Sequence, residues 1–564
     1  MADIERESLP VDVLFVGGGP ASLAGALRLT QLVKAHNQAV ERGDAPGEPL
    51  EPEIAVIEKG ESPGACGLSG ALLNPRALEE LLPDYRNLGF PGKLQVHDDR
   101  MLVMTRRRAF PLPGIMHPAH NEGNWIISLQ RFNDWLAKIV EDTGVYMLTD
   151  TCGVEVLYDD TDKIIGVRTG DKGLDKNSRP MANFTAGSLI ESKVTLFGEG
   201  PRGTLTEDLK LKFHLERGNP QIYSIGVKEI IEVPNKPDHG GFAMHSLGWP
   251  VPYGVFGGGF LYELDEKRFS VGIVMSLDWK NPHLDAQKLL QHYKLHPAVN
   301  AYLRGGEVVS YGAKTIPEGG FYSLPELAVD GGLIIGDSAG FLSVVSLKGI
   351  HYAMKSGMVA AETVFESLKS NDFSSLALGA YRHKLDRTFV MQELYQERNF
   401  RVGFHKSFAL GMVKAGVFLK VWSGPRQAHP IEADYRALAK LAPPNLPDLP
   451  RDNPLIIDKL TAVHLARTGH RDDQPSHIQI LDPKACIEAC IPAHGTAPCV
   501  NFCPAAVYEH VREEGNERIQ VNFSNCVHCK TCTIKDPYDS SPGDLIQNIN
   551  WRAPAEGGPR YQYL

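Results

Sequence analysis

Val11-Asp-Val-Leu-Phe-Val16 leads without a break into Gly17-Gly-Gly19-Pro-Ala-Ser22 and then Leu23-Ala-Gly-Ala-Leu-Arg-Leu29. An apolar run of strand length, a glycine turn and the start of a helix form the unit that binds a dinucleotide pyrophosphate. Glycine lets the backbone approach closely, and the first helical amides and the helix dipole face the anion. Gly17 and Gly19 fill the first two glycine positions, and Ser22 stands where the third is expected, small enough for close helix–strand packing. A second strand, Ile54-Ala-Val-Ile-Glu58, ends on an acid suited to an adenosine ribose. Its separation from the turn exceeds the usual ~20 residues, and the polar Ala35–Pro52 stretch accounts for the excess as a helix end and loop. A solvated carboxylate at a strand end is the alternative for Glu58.

Two more apolar runs end in glycine and an acid. Lys193-Val-Thr-Leu-Phe-Gly198-Glu199-Gly200 and Gly332-Leu-Ile-Ile-Gly336-Asp337-Ser338 each bring backbone and a carboxylate to a strand–helix corner. Together the three segments point to FAD, and no second Gly-x-Gly-x-x-Gly unit supports a separate nicotinamide site. Gly349 opens an Ala- and Met-rich helical stretch whose N-terminus suits the flavin or a phosphate. Ser69 and Gly70 complete the cofactor-binding candidates.

Seven of the nine cysteines fall between Cys486 and Cys532. Cys526, Cys529 and Cys532 follow the Cys-x-x-Cys-x-x-Cys rule, and Cys503 precedes Pro504, the pattern by which ferredoxins hold a 4Fe–4S cluster. Four cysteines also suit zinc, although zinc ribbons pair two Cys-x-x-Cys halves. Cys503 following Cys486, Cys490 and Cys499 resembles half of a two-cluster ferredoxin, yet the Cys486-x3-Cys490-x8-Cys499 spacing is loose and Asp536-Pro537 replaces a second Cys-Pro. One cluster is therefore expected, with the three remaining thiols as packing or an unassigned site.

The 564 residues, 43% apolar and 22% charged, are enough for two to four ordinary domains. A net charge of −10 argues against nucleic acid as a partner, since phosphate neutralisation needs a basic face. The acidic N-terminus reads as neither a signal nor a transit peptide. No apolar run of about 18 residues is present, so surface attachment is the only membrane mode expected. Two segments suit it. Arg106–Met116 is basic, then apolar and proline-punctuated; Phe404–Trp422 places Phe404, Phe408, Met412, Ala415, Leu419 and Trp422 on one helical face. A surface hairpin and a buried helix are the respective alternatives. Gly248–Tyr262 mixes aromatics with exposed glycine backbone, which fits either a quinone slot or a hairpin turn.

Taken in order, these residues resemble the electron-transfer flavoprotein–ubiquinone oxidoreductase family over nearly the whole chain. The resemblance rests on Gly17–Ala21, Val227-Lys-Glu229, Pro234–His239, Gly248-Trp-Pro250, Gly257-Gly258 with Phe260-Leu-Tyr262, Lys348-Gly349, Ala353–Gly357, Phe502–Ala505, Val507-Tyr-Glu509, Cys526–Cys532 and Gln547–Trp551. It implies an α/β fold with a glutathione-reductase-type, Rossmann-like FAD domain, an interleaved α+β quinone- and membrane-binding domain, and a C-terminal ferredoxin-like iron–sulfur domain. The expected boundaries are 1–100, 145–215 and 315–385 for FAD; 101–144, 216–314 and 386–424 for quinone and membrane; 425–475 for a linker; and 476–564 for the cluster.

The resemblance further implies that reduced electron-transfer flavoprotein is the donor and ubiquinone the acceptor, on a monotopic protein of a respiratory membrane, at the cytoplasmic face of a bacterial inner membrane. Cys503, Cys526, Cys529 and Cys532 match the cluster ligands, and Gly257 and Gly258 the backbone at the quinone headgroup. Ser343 and Ile350 depart from the family's Asn and Thr near the flavin, which alters hydrogen bonding to the ring and hence its potential. His351 and Tyr262 are considered for proton delivery, against structural roles for both. An isoprenoid reductase or hydroxylase on the same FAD fold, and a non-catalytic redox sensor, are the competing readings.

Overall fold

The computed structural model describes residues 5–112, 120–216, 218–404, 428–450, 453–513, 515–541 and 546–564. Ser8–Val16 is the central strand of the dinucleotide layer, pairing in parallel with Ile54–Ile57 on one side and Leu189–Phe197 on the other. Tyr146–Leu148 and Gly332–Ile334 extend the parallel order outward. Val13, Leu14 and Phe15 are each fully buried, so this strand is apolar on both faces, as a sheet covered on both sides requires. The helices Pro20–Glu41 and Ile350–Ser370 cross closely because a glycine sits at each contact. A Cβ at Gly25 would meet the Gly357 carbonyl at 3.0 Å, and one at Gly357 would meet the Ala21 carbonyl at 1.9 Å.

A second, mostly antiparallel sheet carries the expected quinone segment. Its order is Glu307–Pro317, Tyr223–Glu232, Arg268–Ser276, Gly257–Glu263, Phe242–Gly248, Asp98–Met104, Ala109–Pro111. The helix Ala286–Leu295 packs on it, and its Lys294 reaches across to Glu229 through an ion pair with no exposed side-chain surface. Lys294 also donates to the Leu455 carbonyl, and Gln291 Nε2 donates to the other Glu229 oxygen at 2.8 Å. Polar side chains this deep are stable only when each finds such partners.

The C-terminal region contains the hairpin Tyr508–Glu513/Asn516–Val521 and the pairing of Ile478–Ile480 with Ile549–Trp551. Packing cuts across the boundaries drawn from the sequence. Helix Leu129–Glu141, within 101–144, contributes Phe132, Leu136 and Val140 to the dinucleotide core, and Val390 and Met391, within 386–424, join them. The stretch 425–475 holds a helix, Lys459–Ala466, whose Ala462 and Ala466 are buried in the same core as the second sheet. The proposed membrane helix lies outside the described residues except for Phe404, which is buried against Phe256 and Phe400; so does 113–116 of the other membrane segment. No helix among the described residues is long and apolar enough to cross a membrane.

Candidate functional site

The three strand ends and the second sheet enclose one cavity of about 830 Å³. At its dinucleotide end, Gly17 has φ +101°, and a Cβ there would stand 2.5 Å from the Gly198 carbonyl, so only glycine fits. Helix Pro20–Glu41 begins beside it with Gly19 as N-cap, no side-chain cap and no acid in its first turn, leaving its amides and positive dipole end for an anion. Ser22 is fully buried, with its hydroxyl against Gly198: a Cβ on that glycine would come within 2.5 Å of Oγ. Its role is close helix–strand packing. Glu58 lines the cavity and accepts from the Gly18 amide at 2.7 Å and the Gly60 amide at 2.8 Å. The alternative of a solvated carboxylate does not hold, because Glu58 is 8% exposed. Burial raises its pKa, and the two amides act against that rise.

Glu199, Gly200, Gly336, Asp337, Gly349, Ser69 and Gly70 line the same cavity. Glu199 points its carboxylate at the next helix, accepting from the Leu205 amide at 3.2 Å and from the Thr206 amide and hydroxyl at 2.8 Å each. It caps that helix, so its contribution to the cavity is positional. Asp337 is pushed up to about 6 by burial. Gly349 is the N-cap of Ile350–Ser370, again without a side-chain cap.

At the other end, Gly257 and Gly258 line the cavity together with Gly259 and Tyr262. Side chains are excluded at both candidate positions: Cβ atoms would meet the Val274 and Ser246 carbonyls at 2.2 and 2.1 Å. Tyr262 Oη and His245 Nε2 share a 2.6 Å hydrogen bond in this wall. His351 stacks on Phe389 with ring planes 9° apart and meets Arg76 at 3.2 Å; burial depresses its pKa, and it serves packing. Ile350 faces the cavity, whereas Ser343 donates to both oxygens of Glu397, at 2.9 and 2.8 Å.

Two lysines escaped the sequence reading. Lys228 lies in the wall, 1% exposed, donating to the Ser69 carbonyl at 3.0 Å, and burial pushes it down to about 7. Lys314 also lines the cavity, its pKa lowered by burial and then by the Lys59 charge, while the charges of Glu58 and Cys529 act to raise it. The signal available was a lone lysine in the middle of each of two strands.

Cys503, Cys526, Cys529 and Cys532 are all buried and unpaired. His528 and Lys530 take positive φ of 55° and 66°, turning the chain between successive cysteines so that it wraps a common centre. The thiols perturb one another. Burial first, then Cys529, raises Cys503 to about 11 and Cys526 to about 12. Among the described residues only His470, His477 and His528 bring three ligand atoms within 4.8 Å of one another. The cluster loop is bound to the cavity wall: the Thr315 amide and hydroxyl donate to the Cys529 carbonyl at 3.2 and 2.9 Å, and Tyr311 Oη donates to the Pro504 carbonyl at 2.9 Å.

Comparison with known proteins identifies the family. Residues 453–562 match the family described as electron transfer flavoprotein-ubiquinone oxidoreductase, 4Fe-4S, and residues 223–316 match ETF-QO, ubiquinone-binding. An electron transfer flavoprotein-ubiquinone oxidoreductase of Pseudomonas aeruginosa is 39% identical, over 99% of this chain and 100% of its own length. The chain belongs to the electron transfer flavoprotein-ubiquinone oxidoreductase family. The human mitochondrial member is 37% identical, over 99% of this chain and 90% of its own. Among solved structures, a geranylgeranyl bacteriochlorophyll reductase-like protein of Thermoplasma acidophilum is similar in fold, with TM-score 0.55 and 19% identity over 73% of this chain and 92% of its own. This member is an oxidoreductase whose cofactors are FAD and a 4Fe–4S centre and which has a ubiquinone-binding domain. The residues present fit that set: an uncapped helix N-terminus and a glycine that tolerates no side chain for FAD, and a wrapped loop of buried thiols for the cluster.

Proposed function

We propose that this protein takes electrons from reduced electron-transfer flavoprotein and delivers them, by way of its 4Fe–4S centre and FAD, to ubiquinone in one leaflet of a respiratory membrane, at the cytoplasmic face of a bacterial inner membrane. The observation that carries this reading is the single cavity that the FAD candidates share with Gly257 and Gly258, with the cysteine loop hydrogen-bonded to its wall through Thr315. In this reading Gly17, Gly19 and the helix they precede hold the pyrophosphate. Glu58 orients the ribose end; Ser69, Gly70, Gly336, Asp337 and Gly349 surround the flavin; Glu199 and Gly200 shape the corner between them; and Ser22 keeps helix and strand in contact. Cys503, Cys526, Cys529 and Cys532 ligate the iron. The bound groups supply the one- and two-electron chemistry. The chain's own part is positional: it holds them in fixed register, excludes water with apolar walls, and places Tyr262–His245 where a quinone needs protons. Phe404–Trp422, apart from the buried Phe404 itself, and Arg106–Met116 are the proposed membrane contacts. The test is anaerobic turnover with reduced electron-transfer flavoprotein and a short-chain ubiquinone analogue. Quinone reduction that requires the flavoprotein donor supports the reading, and no turnover with fully loaded protein ends it.

A further inference from the structure

Cys486, Cys490 and Cys499 have no part in the centre just described. The structure brings them together with Asp536 around a separate small cavity. Cys499 is buried, Cys486 and Cys490 are half-buried, and Asp536 is 5% exposed. Their proximity shows in how they act on one another: Asp536 disfavours the ionised forms of all three thiols, second only to burial. Asp536 is itself held in place, accepting from the Ile549 amide at 2.7 Å, and Asn548 Nδ2 donates to Cys486 Sγ at 3.4 Å.

The order of these residues is that of a two-cluster ferredoxin. In such proteins each Cys-x3-Cys-Pro tail gives its first cysteine to one cluster and its second to the other. Here Cys499-x3-Cys503-Pro504 is one tail and Cys532-x3-Asp536-Pro537 is the other. The structure repeats the correspondence. Pro498–Phe502 is a short helix ending at Cys503, and Cys532–Lys535 is a short helix ending at Asp536. Cys503 crosses to Cys526, Cys529 and Cys532; Asp536 crosses to Cys486, Cys490 and Cys499. The loose cysteine spacing that argued for one centre is resolved locally: Cys486–Cys490 forms a single wide π-helical turn, which sets its two end thiols on the cavity that Cys499 and Asp536 close.

We infer that Cys486, Cys490, Cys499 and Asp536 form a second iron–sulfur site, with a carboxylate in place of the fourth thiolate. Carboxylate oxygen is a harder and more weakly donating ligand than thiolate, so the iron bound to Asp536 is the most easily exchanged of the cluster. Binding of a preassembled cluster displaces the thiol protons to solvent and transfers no electrons.

The test is metal analysis of the full chain, reconstituted anaerobically with iron and sulfide and normalised to FAD, with zinc measured alongside. About eight irons and eight sulfides per FAD, twice the single-cluster value, is the expected result; about seven irons, a cube that has lost its carboxylate-bound corner, also supports it. About four irons, with or without one zinc, overturns it. Asp536→Cys supplies a second readout that does not depend on the total: the reduced protein should keep one EPR signal unchanged and alter the other. An unchanged spectrum in this variant, with Asp536→Cys confirmed folded by its FAD content, refutes ligation by Asp536.

Discussion

Replacing Glu229 by Gln tests whether the second sheet and the helix packed on it are joined by charge. Both partners of the Glu229–Lys294 pair have no exposed side-chain surface, and the ammonium's other partner is the Leu455 carbonyl. Gln keeps the shape and leaves the ammonium without a counter-charge. Breaking a buried pair from one side costs about 3–5 kcal/mol. An upper limit comes from the alternative open to Lys294, which is to lose its proton. At pH 7 that costs about 4–5 kcal/mol for a side chain of unperturbed pKa ~10.4, at 1.36 kcal/mol per unit.

The sign follows from linkage. In the variant the native state binds fewer protons than the unfolded state between neutral pH and about 10.4, so stability rises with pH across that window. Thermal unfolding of Glu229→Gln should therefore show a large loss at pH 7 that shrinks by about 2–3 kcal/mol at pH 9. The double variant Glu229→Gln/Lys294→Met should recover most of it, since an apolar replacement removes the stranded charge. A loss below about 1 kcal/mol, or one independent of pH, would refute this reasoning.

Gly17→Ala should abolish FAD retention, read as flavin absorbance after gel filtration, because its Cβ meets a backbone carbonyl at 2.5 Å and its φ is +101°. Lys228 is pushed down to about 7 by burial alone, so it makes the native apoprotein bind fewer protons than the unfolded chain between pH 7 and about 10.4. Lys228→Met should flatten the rise in apoprotein stability across that window, by about 3–5 kcal/mol in total. Thr315→Val removes the 2.9 Å hydroxyl bond to the Cys529 carbonyl; a loss of about 1 kcal/mol in stability is expected, with a changed EPR line shape of the reduced centre. Tyr262→Phe should lower quinone reduction at saturating donor while leaving FAD and iron content intact.

The dinucleotide layer was legible because its chemistry is local. Glycines, a strand and a helix start lie within about twenty residues, and Gly17, Gly19, Glu58, Gly336 and Asp337 all line the cavity. What sequence could not give was direction. Glu199 was read as a carboxylate delivered to the cofactor corner, and it turns to cap its own helix; only tertiary placement decides which way a strand-end acid faces. Lys228 and Lys314 were missed for a related reason: a lysine in a strand reads as an edge or surface residue, and here both line the cavity. Packing likewise put Leu129–Glu141 with the dinucleotide core, since an amphipathic helix does not carry its partner's address. The ferredoxin-like order of Cys486, Cys490, Cys499 and Asp536 was legible in the spacing, but the loose Cys486-x3-Cys490-x8-Cys499 interval hid that the four residues line one cavity.

Strand Glu307–Pro317 pairs along its length with Tyr223–Glu232, which supplies Lys228 to the cavity, and through Tyr311 and Thr315 it grips both arms of the cysteine loop. Electron hopping rates fall exponentially with separation, so any play between two redox centres becomes variation in rate. A ferredoxin tethered by a flexible linker would sample many separations. Fastened to a strand interior, this one has its gap fixed by peptide geometry. The iron–sulfur region is therefore no interchangeable module: exchanging it for another ferredoxin would require re-forming the bonds to Tyr311 and Thr315, or the proposed relay would lose its gauge.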